Sequence, residues 1–349
     1  MHLEIRSSIA TTILLGLSAL TQTAQAESPV PPDQLGMGRY IGPETWSRCS
    51  REMTNPHAKL FDLAQPRNEA MPQAKFAERE TYVFDAPHGI PGTRHGFNTE
   101  TVHGNIGGQG TQIDALGHFG VLPETWDGKG PFPSSDLQYY GGWKHSQVKP
   151  SPNSNLKVLG VETIPPIVTS AILLDAARFL NDGKLLNNNE IISKANIQGM
   201  LKAQGLESRG LQAGDVLFIY TGWGDQWKAN PDEYYTRGPG LGYDAALYLA
   251  EMKITAVGLD NPFTDPAPEG MLTGKAQPAG TPRGLPFAIH HQNLSQSGIY
   301  QIQNAKLDEL AENEVWESCV MAIPLNIQGA AQSPLRPVAI GAPVSKQKR

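Results

Sequence analysis

Apolar residues along this chain fall in short runs cut by glycine- and proline-rich turns, and few stretches sustain the three-to-four-residue period of a long helix. Strands are predicted at 82–84, 101–103, 215–220, 256–259, 315–323 and 335–340, where apolar or alternating residues lie between turn formers. Residues 171–180 read as a strand running into a helix. A further helix is expected to open at Asn189 and continue toward Gln204, with Gly205 as its stop, and others at 243–251 and 307–313. Strands alternating with helices predict a mixed α/β fold. Residues 27–75 are proline-rich and polar, with Trp46 and Phe61 as isolated anchors, so they read as an N-terminal extension wrapped on a core spanning 76–342, with 343–349 a flexible tail.

The first 26 residues carry His2 and Arg6, an apolar run from Ile9 to Leu20, and Ala24-Gln25-Ala26 before Glu27. This is the pattern of a cleaved secretory signal, and the apolar run is shorter than the roughly 20 residues a membrane span needs. A periplasmic or secreted protein is therefore expected, with no membrane-embedded segment. Export would carry Cys49 and Cys319, the two cysteines of the chain, into an oxidising compartment where a disulfide can persist. Cys319 also suits a buried strand position, so the sequence leaves the pairing open.

Composition narrows the partners. The 36 glycines and 28 prolines among 349 residues disfavour a helical bundle. A net charge of -6 with no basic stripe excludes a phosphate-tracking nucleic-acid surface, leaving a small molecule as the expected partner.

Candidate chemistry concentrates in Gly110-Thr111-Gln112-Ile113-Asp114-Ala115-Leu116-Gly117-His118. In extended backbone Gln112 and Asp114 share a face, and a turn after Asp114 would return His118 toward the carboxylate. A carboxylate, an imidazole and an amide brought together can hold a cation and move a proton. The same residues also fit a plain turn in which Asp114 caps a helix and His118 fills the core.

The segment resembles the cyclase family that includes bacterial kynurenine formamidase and isatin hydrolase, whose hallmark is His-x-Gly-Thr-His-x-Asp-x-Pro-x-His. Gly110, Thr111, Asp114 and His118 match it. The resemblance continues through Gly214-Asp215-Val216-Leu217, Thr221-Gly222-Trp223, Gly258-Leu259-Asp260, His291 with Gln303, and the run from Ser333 to Ile340. The departures are Gly108 and Gln112 in place of two histidines, Leu116 in place of the proline, and Gln303 where a glutamate often follows the downstream histidine by twelve residues. His103 and His290 are available to compensate.

The resemblance implies a swivelling β/β/α fold with a mixed, strand-rich sheet and flanking helices, assembled as a homodimer or larger homo-oligomer. It implies one divalent metal ion, manganese or zinc, held by Asp114, His291, Gln303 and Gln112, with His118 as the acid/base histidine. Thr221 and Trp223 are implied to bind substrate, with Trp227, Phe263 and Tyr243 near the same segments, and Arg336 reads as a structural anchor. The implied reaction is hydrolysis of a C–N bond in an amide, formamide or small cyclic amide by metal-activated water. A metal-dependent lyase or dehydratase, and a non-catalytic periplasmic binding protein with a degenerate site, remain open as alternatives.

Overall fold

The computed structural model describes residues 34–344. Nine strands form one sheet: β1 (Lys59–Asp62), β2 (Gln112–Asp114), β3 (Ile167–Asp175), β4 (Val216–Tyr220), β5 (Ala256–Leu259), β6 (Tyr300–Gln303), β7 (Glu317–Ala322), β8 (Gln332–Pro334) and β9 (Val338–Gly341). Their spatial order is β1-β9-β7-β3-β4-β5-β6-β2-β8. The pairs β3-β4, β4-β5 and β5-β6 are parallel, and the strands added on either side are antiparallel. The fold is mixed α/β, as the alternation of elements predicts.

Burial explains the central strands. All but one residue of β3 are buried, and so are all four of β5, which is the near-continuous apolar pattern of parallel strands covered on both faces. Gly258 in β5 is required by this packing, because a Cβ there would lie 2.7 Å from the Phe218 ring of the neighbouring strand. Three longer helices flank the sheet: α1 (Pro43–Met53), α2 (Lys194–Ala203) and α3 (Tyr243–Glu251). The α2 helix starts later than the apolar pattern suggests. Asn189 adopts φ 63°, Ile191–Ile192 pair in parallel with Gly240–Leu241, and Ser193 caps the helix through the Asn196 amide N–H.

The segment before residue 76 is built into this body. Strand β1 pairs antiparallel with β9 at the sheet edge, and α1 packs on β7 and β3. Cys49 of α1 is disulfide-bonded to Cys319 of β7, which settles the pairing the sequence left open. Arg48, one residue earlier, donates to Ser170 Oγ and to Asp215. Arg336 pairs with Asp62 at 2.7 Å, the structural anchoring expected of it. Residues 1–26 and most of 343–349 lie outside the described residues. Among the described residues, no helix is long and apolar enough to cross a membrane.

Candidate metal centre

Three adjacent strands at one end of the sheet converge their polar side chains. In β2, Gln112 and Asp114 share a face; Gln303 of β6 lies opposite Gln112, and Gln332 of β8 lies opposite Asp114. The chain enters β2 through Gly110, whose φ of 63° and contact with Arg67 leave no room for a side chain. The Thr111 hydroxyl fixes the entry by accepting from Gln65 N at 2.8 Å and donating to Asn304 O at 2.7 Å. After Asp114 the chain makes a short 3-10 turn, Leu116–His118, and Gly117 N donates to Leu159 O. This turn carries the His118 ring back beside the carboxylate.

The third group arrives from a helix preceding β6. His290 ends Ala288–His290, and its Nε2 lies 3.6 Å from Asp114 Oδ2. One ligand atom each from Asp114, His118 and His290 falls within 4.8 Å of the others. Asp114 is fully buried and accepts from three amides: Gln332 at 2.7 Å, Gln303 at 2.9 Å and Gln112 at 3.3 Å.

Asp265 sets the state of His290. Its carboxylate accepts from Ile289 N at 2.6 Å and from His290 N at 3.3 Å, and it is hydrogen-bonded to His290 Nδ1. With the proton on Nδ1, the Nε2 lone pair faces Asp114 and Gln303, and the Gln303 amide N–H donates to it at 3.0 Å. Burial lowers the pKa of His290, but the charge and hydrogen bond of Asp265, with the charge of Asp114, outweigh it and raise the net value. For His118 burial dominates; Asp114 opposes it, His290 adds to it, and the pKa is lowered. His118 is thus held as a neutral imidazole at neutral pH.

The donor set fits a divalent cation. A carboxylate and two imidazoles can meet on one ion, and the Gln112 Oε1 atom is buried with no hydrogen-bond partner among the described residues. An orphaned acceptor beside a buried carboxylate is an unfavourable arrangement that a cation relieves. Asp114 and His290 can hold it, the amides of Gln112 and Gln303 offer neutral oxygen donors nearby, and His118 stands close enough to act beside the ion.

The centre opens into a cavity of ≈ 690 Å³. Its walls include Phe76, Phe119, Tyr235, Phe263, Leu272 and Phe287. The Phe119 and Phe287 rings sit 5.1 and 5.6 Å from the His290 ring, and His118 lies 5.7 Å from Phe119.

The Cyclase family model, described as "Putative cyclase", matches residues 61–266, more than half of the chain. The chain belongs to the cyclase family. Kynurenine formamidase of Bacillus mycoides (strain KBAB4) is 27% identical over 224 residues, covering 61% of this chain and 90% of that protein. A solved structure described as a novel cyclase superposes with a TM-score of 0.71 at 23% identity, over 88% of this cyclase and 94% of its chain. Isatin hydrolase A from Ralstonia solanacearum gives a TM-score of 0.56 at 17% identity, over 86% and 98% of the two chains. These structural likenesses concern the fold.

Of the residues the cyclase sequence singles out, Gln112, Asp114, His118 and Gln303 are brought together. His291 is not: the histidine beside Asp114 is its neighbour His290, thirteen residues before Gln303 rather than twelve. A π-helical segment, His291–Ser297, lies between His290 and Gln303, and π turns take up more residues than α turns, so spacing alone does not fix which histidine faces the centre. His291 is half-buried, and its Nδ1 has no hydrogen-bond partner among the described residues. His103 lies on an exposed hairpin strand, Glu100–His103.

Thr221 and Trp223 do not line the cavity. The Thr221 hydroxyl is committed to Asp260 Oδ1 at 2.6 Å, and Trp223 is buried in an aromatic cluster with Trp227, Tyr234 and Tyr235, of which Tyr235 reaches the cavity wall. Tyr243 bonds to Gln292, whereas Phe263 does face the cavity. Asp265 and Gln332 were missed by sequence reasoning. Neither belongs to the hallmark, and only the strand register and the helix start place them at the site.

Proposed function

We propose that this cyclase is an exported, divalent-metal-dependent hydrolase that cleaves the C–N bond of an aryl formamide or a related small or cyclic amide. The carrying observation is the convergence of Asp114, His118 and His290 at the floor of an aromatic-walled cavity. Family membership and the names of its relatives, kynurenine formamidase and isatin hydrolase, support this chemistry. The disulfide supports an oxidising destination.

A divalent ion bound at this centre supplies carbonyl polarisation and lowers the pKa of water toward neutrality. The mixed nitrogen and oxygen donor set suits manganese or zinc, and its amide oxygens favour the harder manganese. Asp114 and His290 would hold the cation, with Asp265 keeping the imidazole in the useful tautomer. His118 is neutral and faces the cavity, so it can take a proton from water and return it to the departing nitrogen. An amide nitrogen leaves poorly unless protonated, which makes that return the essential step. The aromatic walls exclude bulk water and suit a planar ring.

The test joins metal analysis to turnover. Protein prepared with manganese or zinc is expected to hold one ion per chain and to convert formanilide or isatin to products of C–N hydrolysis, with activity lost to a chelator. His118→Ala is expected to keep the ion while turnover falls by about 100-fold or more; loss of the ion would make His118 a ligand instead. One observation favours a second reading, a binding protein without catalysis: three amide N–H groups already satisfy Asp114. No bound ion and no turnover would establish that alternative, and a dehydrated product would establish a lyase.

A further inference from the structure

The two histidines of the centre each lead into a wall of a second cavity. Phe119 follows His118 directly and opens a loop whose base is closed by reciprocal 2.9 Å backbone bonds between Val121 and Gln138. Residues 283–287 lead into the short helix that carries His290. These segments face each other across ≈ 450 Å³, lined mainly by apolar groups including Leu122, Pro123, Trp126, Phe132, Leu137 and Leu285. Phe119 and Phe287 line both cavities, with ring centroids 6.0 Å apart, so they form the threshold between the catalytic cavity and this compartment.

Its apolar character is not accounted for by the core. Trp126 and Phe132 pack edge to face at 5.4 Å yet remain 42% and 47% exposed. Near Thr125 the walls close up: a Cβ on Gly284, at φ +80°, would lie 2.6 Å from the Thr125 hydroxyl. Glu124 and Arg283 also line the compartment, and their opposite charges select neither an anion nor a cation. What the compartment offers is room for hydrocarbon, one ring away from the reacting centre.

We propose that this compartment is an acyl subsite, and that the cyclase accepts N-acyl arylamines carrying an apolar acyl chain. The inference rests on the C–N hydrolase reading above. The aryl group lies in the larger cavity, the carbonyl at the His118 and His290 side, and the chain beyond the Phe119–Phe287 threshold. Water adds to the carbonyl carbon, the C–N bond breaks, the nitrogen takes one proton of the water, and an arylamine and an alkyl carboxylic acid leave, the acid then losing its proton to solvent. No oxidant or further reactant is consumed. A formyl group leaves the compartment unfilled, so longer acyl chains are the better fit, by about fourfold in affinity for each methylene buried.

Two ketones in which a methylene replaces the scissile N–H, benzyl methyl ketone and benzyl hexyl ketone, measure the compartment without turnover. Calorimetry on the metal-loaded protein is expected to show the hexyl compound binding at least about 10-fold tighter. That preference should collapse toward unity in Leu122→Trp, which fills the compartment, and in Trp126→Ala, which removes a wall. In parallel, kcat/KM for hexananilide should exceed that for formanilide in the parent protein. Equal ketone affinities with formanilide still cleaved would remove the acyl subsite alone, as would a preference untouched by both variants. Chain-dependent ketone binding with no anilide cleaved would overturn the hydrolase reading and leave a chain-binding compartment.

Discussion

Two fully buried carboxylates in this protein are satisfied in opposite ways. Asp215 is clamped by Arg48 and Arg209, and also accepts from Ser170 Oγ and Gln212 N, so fixed cations of the chain itself neutralise it. Among the described residues no arginine or lysine pairs with Asp114; it is met by three glutamine amides and lies 3.6 Å from the His290 imidazole. Both have zero exposure. A buried charge must be compensated, and the choice of compensator separates a structural carboxylate from one that retains capacity for an outside cation.

Substitution at each site should separate the two roles. Asp114→Asn, which keeps the shape and removes the charge, is expected to lose bound metal and to lower turnover by at least about 100-fold, with stability changed by no more than about 1 kcal/mol. Metal analysis with denaturant melts would check it, and full metal retention would erase the contrast. Asp215→Asn is expected to do the reverse, destabilising the fold by about 3–5 kcal/mol because two arginines lose their buried partner, while the metal content of the folded fraction stays unchanged.

A third buried carboxylate makes the smallest and finest test. The Asp260 carboxylate accepts from backbone and hydroxyl groups, among them those of Thr221 and Gly224, and burial pushes its pKa up to about 6. The folded state therefore binds this proton more tightly than the unfolded chain does. Its contribution to stability is fully present below about pH 4 and is lost as pH rises through 6, a loss on the order of 2–3 kcal/mol. Urea melts of Asp260→Asn and the parent at pH 4.5 and 7 should show that the variant lacks this decline, apart from a constant offset for the lost acceptor. Parallel slopes would place the Asp260 pKa near its ordinary value.

The sequence made part of this legible. Asp114 and His118 were readable because four residues and one turn set their separation locally. The strands 256–259 and 216–220 were readable because burial on both faces imposes an apolar run. His290 was not distinguished from His291 because a spacing count does not register the π segment that follows, whose turns hold more residues than α turns. Thr221 and Trp223 stood in family-like positions, yet Asp260 and the aromatic cluster claim them. Asp265 and Gln332 depend on register and on a helix start far along the chain, and no local pattern records either.

The bond between Cys49 and Cys319 spans 270 positions and encloses Asp114, His118, His290 and Gln303 in a covalent ring, with Gln332 on the chain just beyond it. A single backbone cut within that ring, for example in the exposed hairpins between residues 81 and 103, opens the ring without releasing a fragment. Both new ends stay attached to one molecule, so the strands bearing Asp114 and Gln303 cannot diffuse apart after one clip, and damage at the surface need not become loss of the centre.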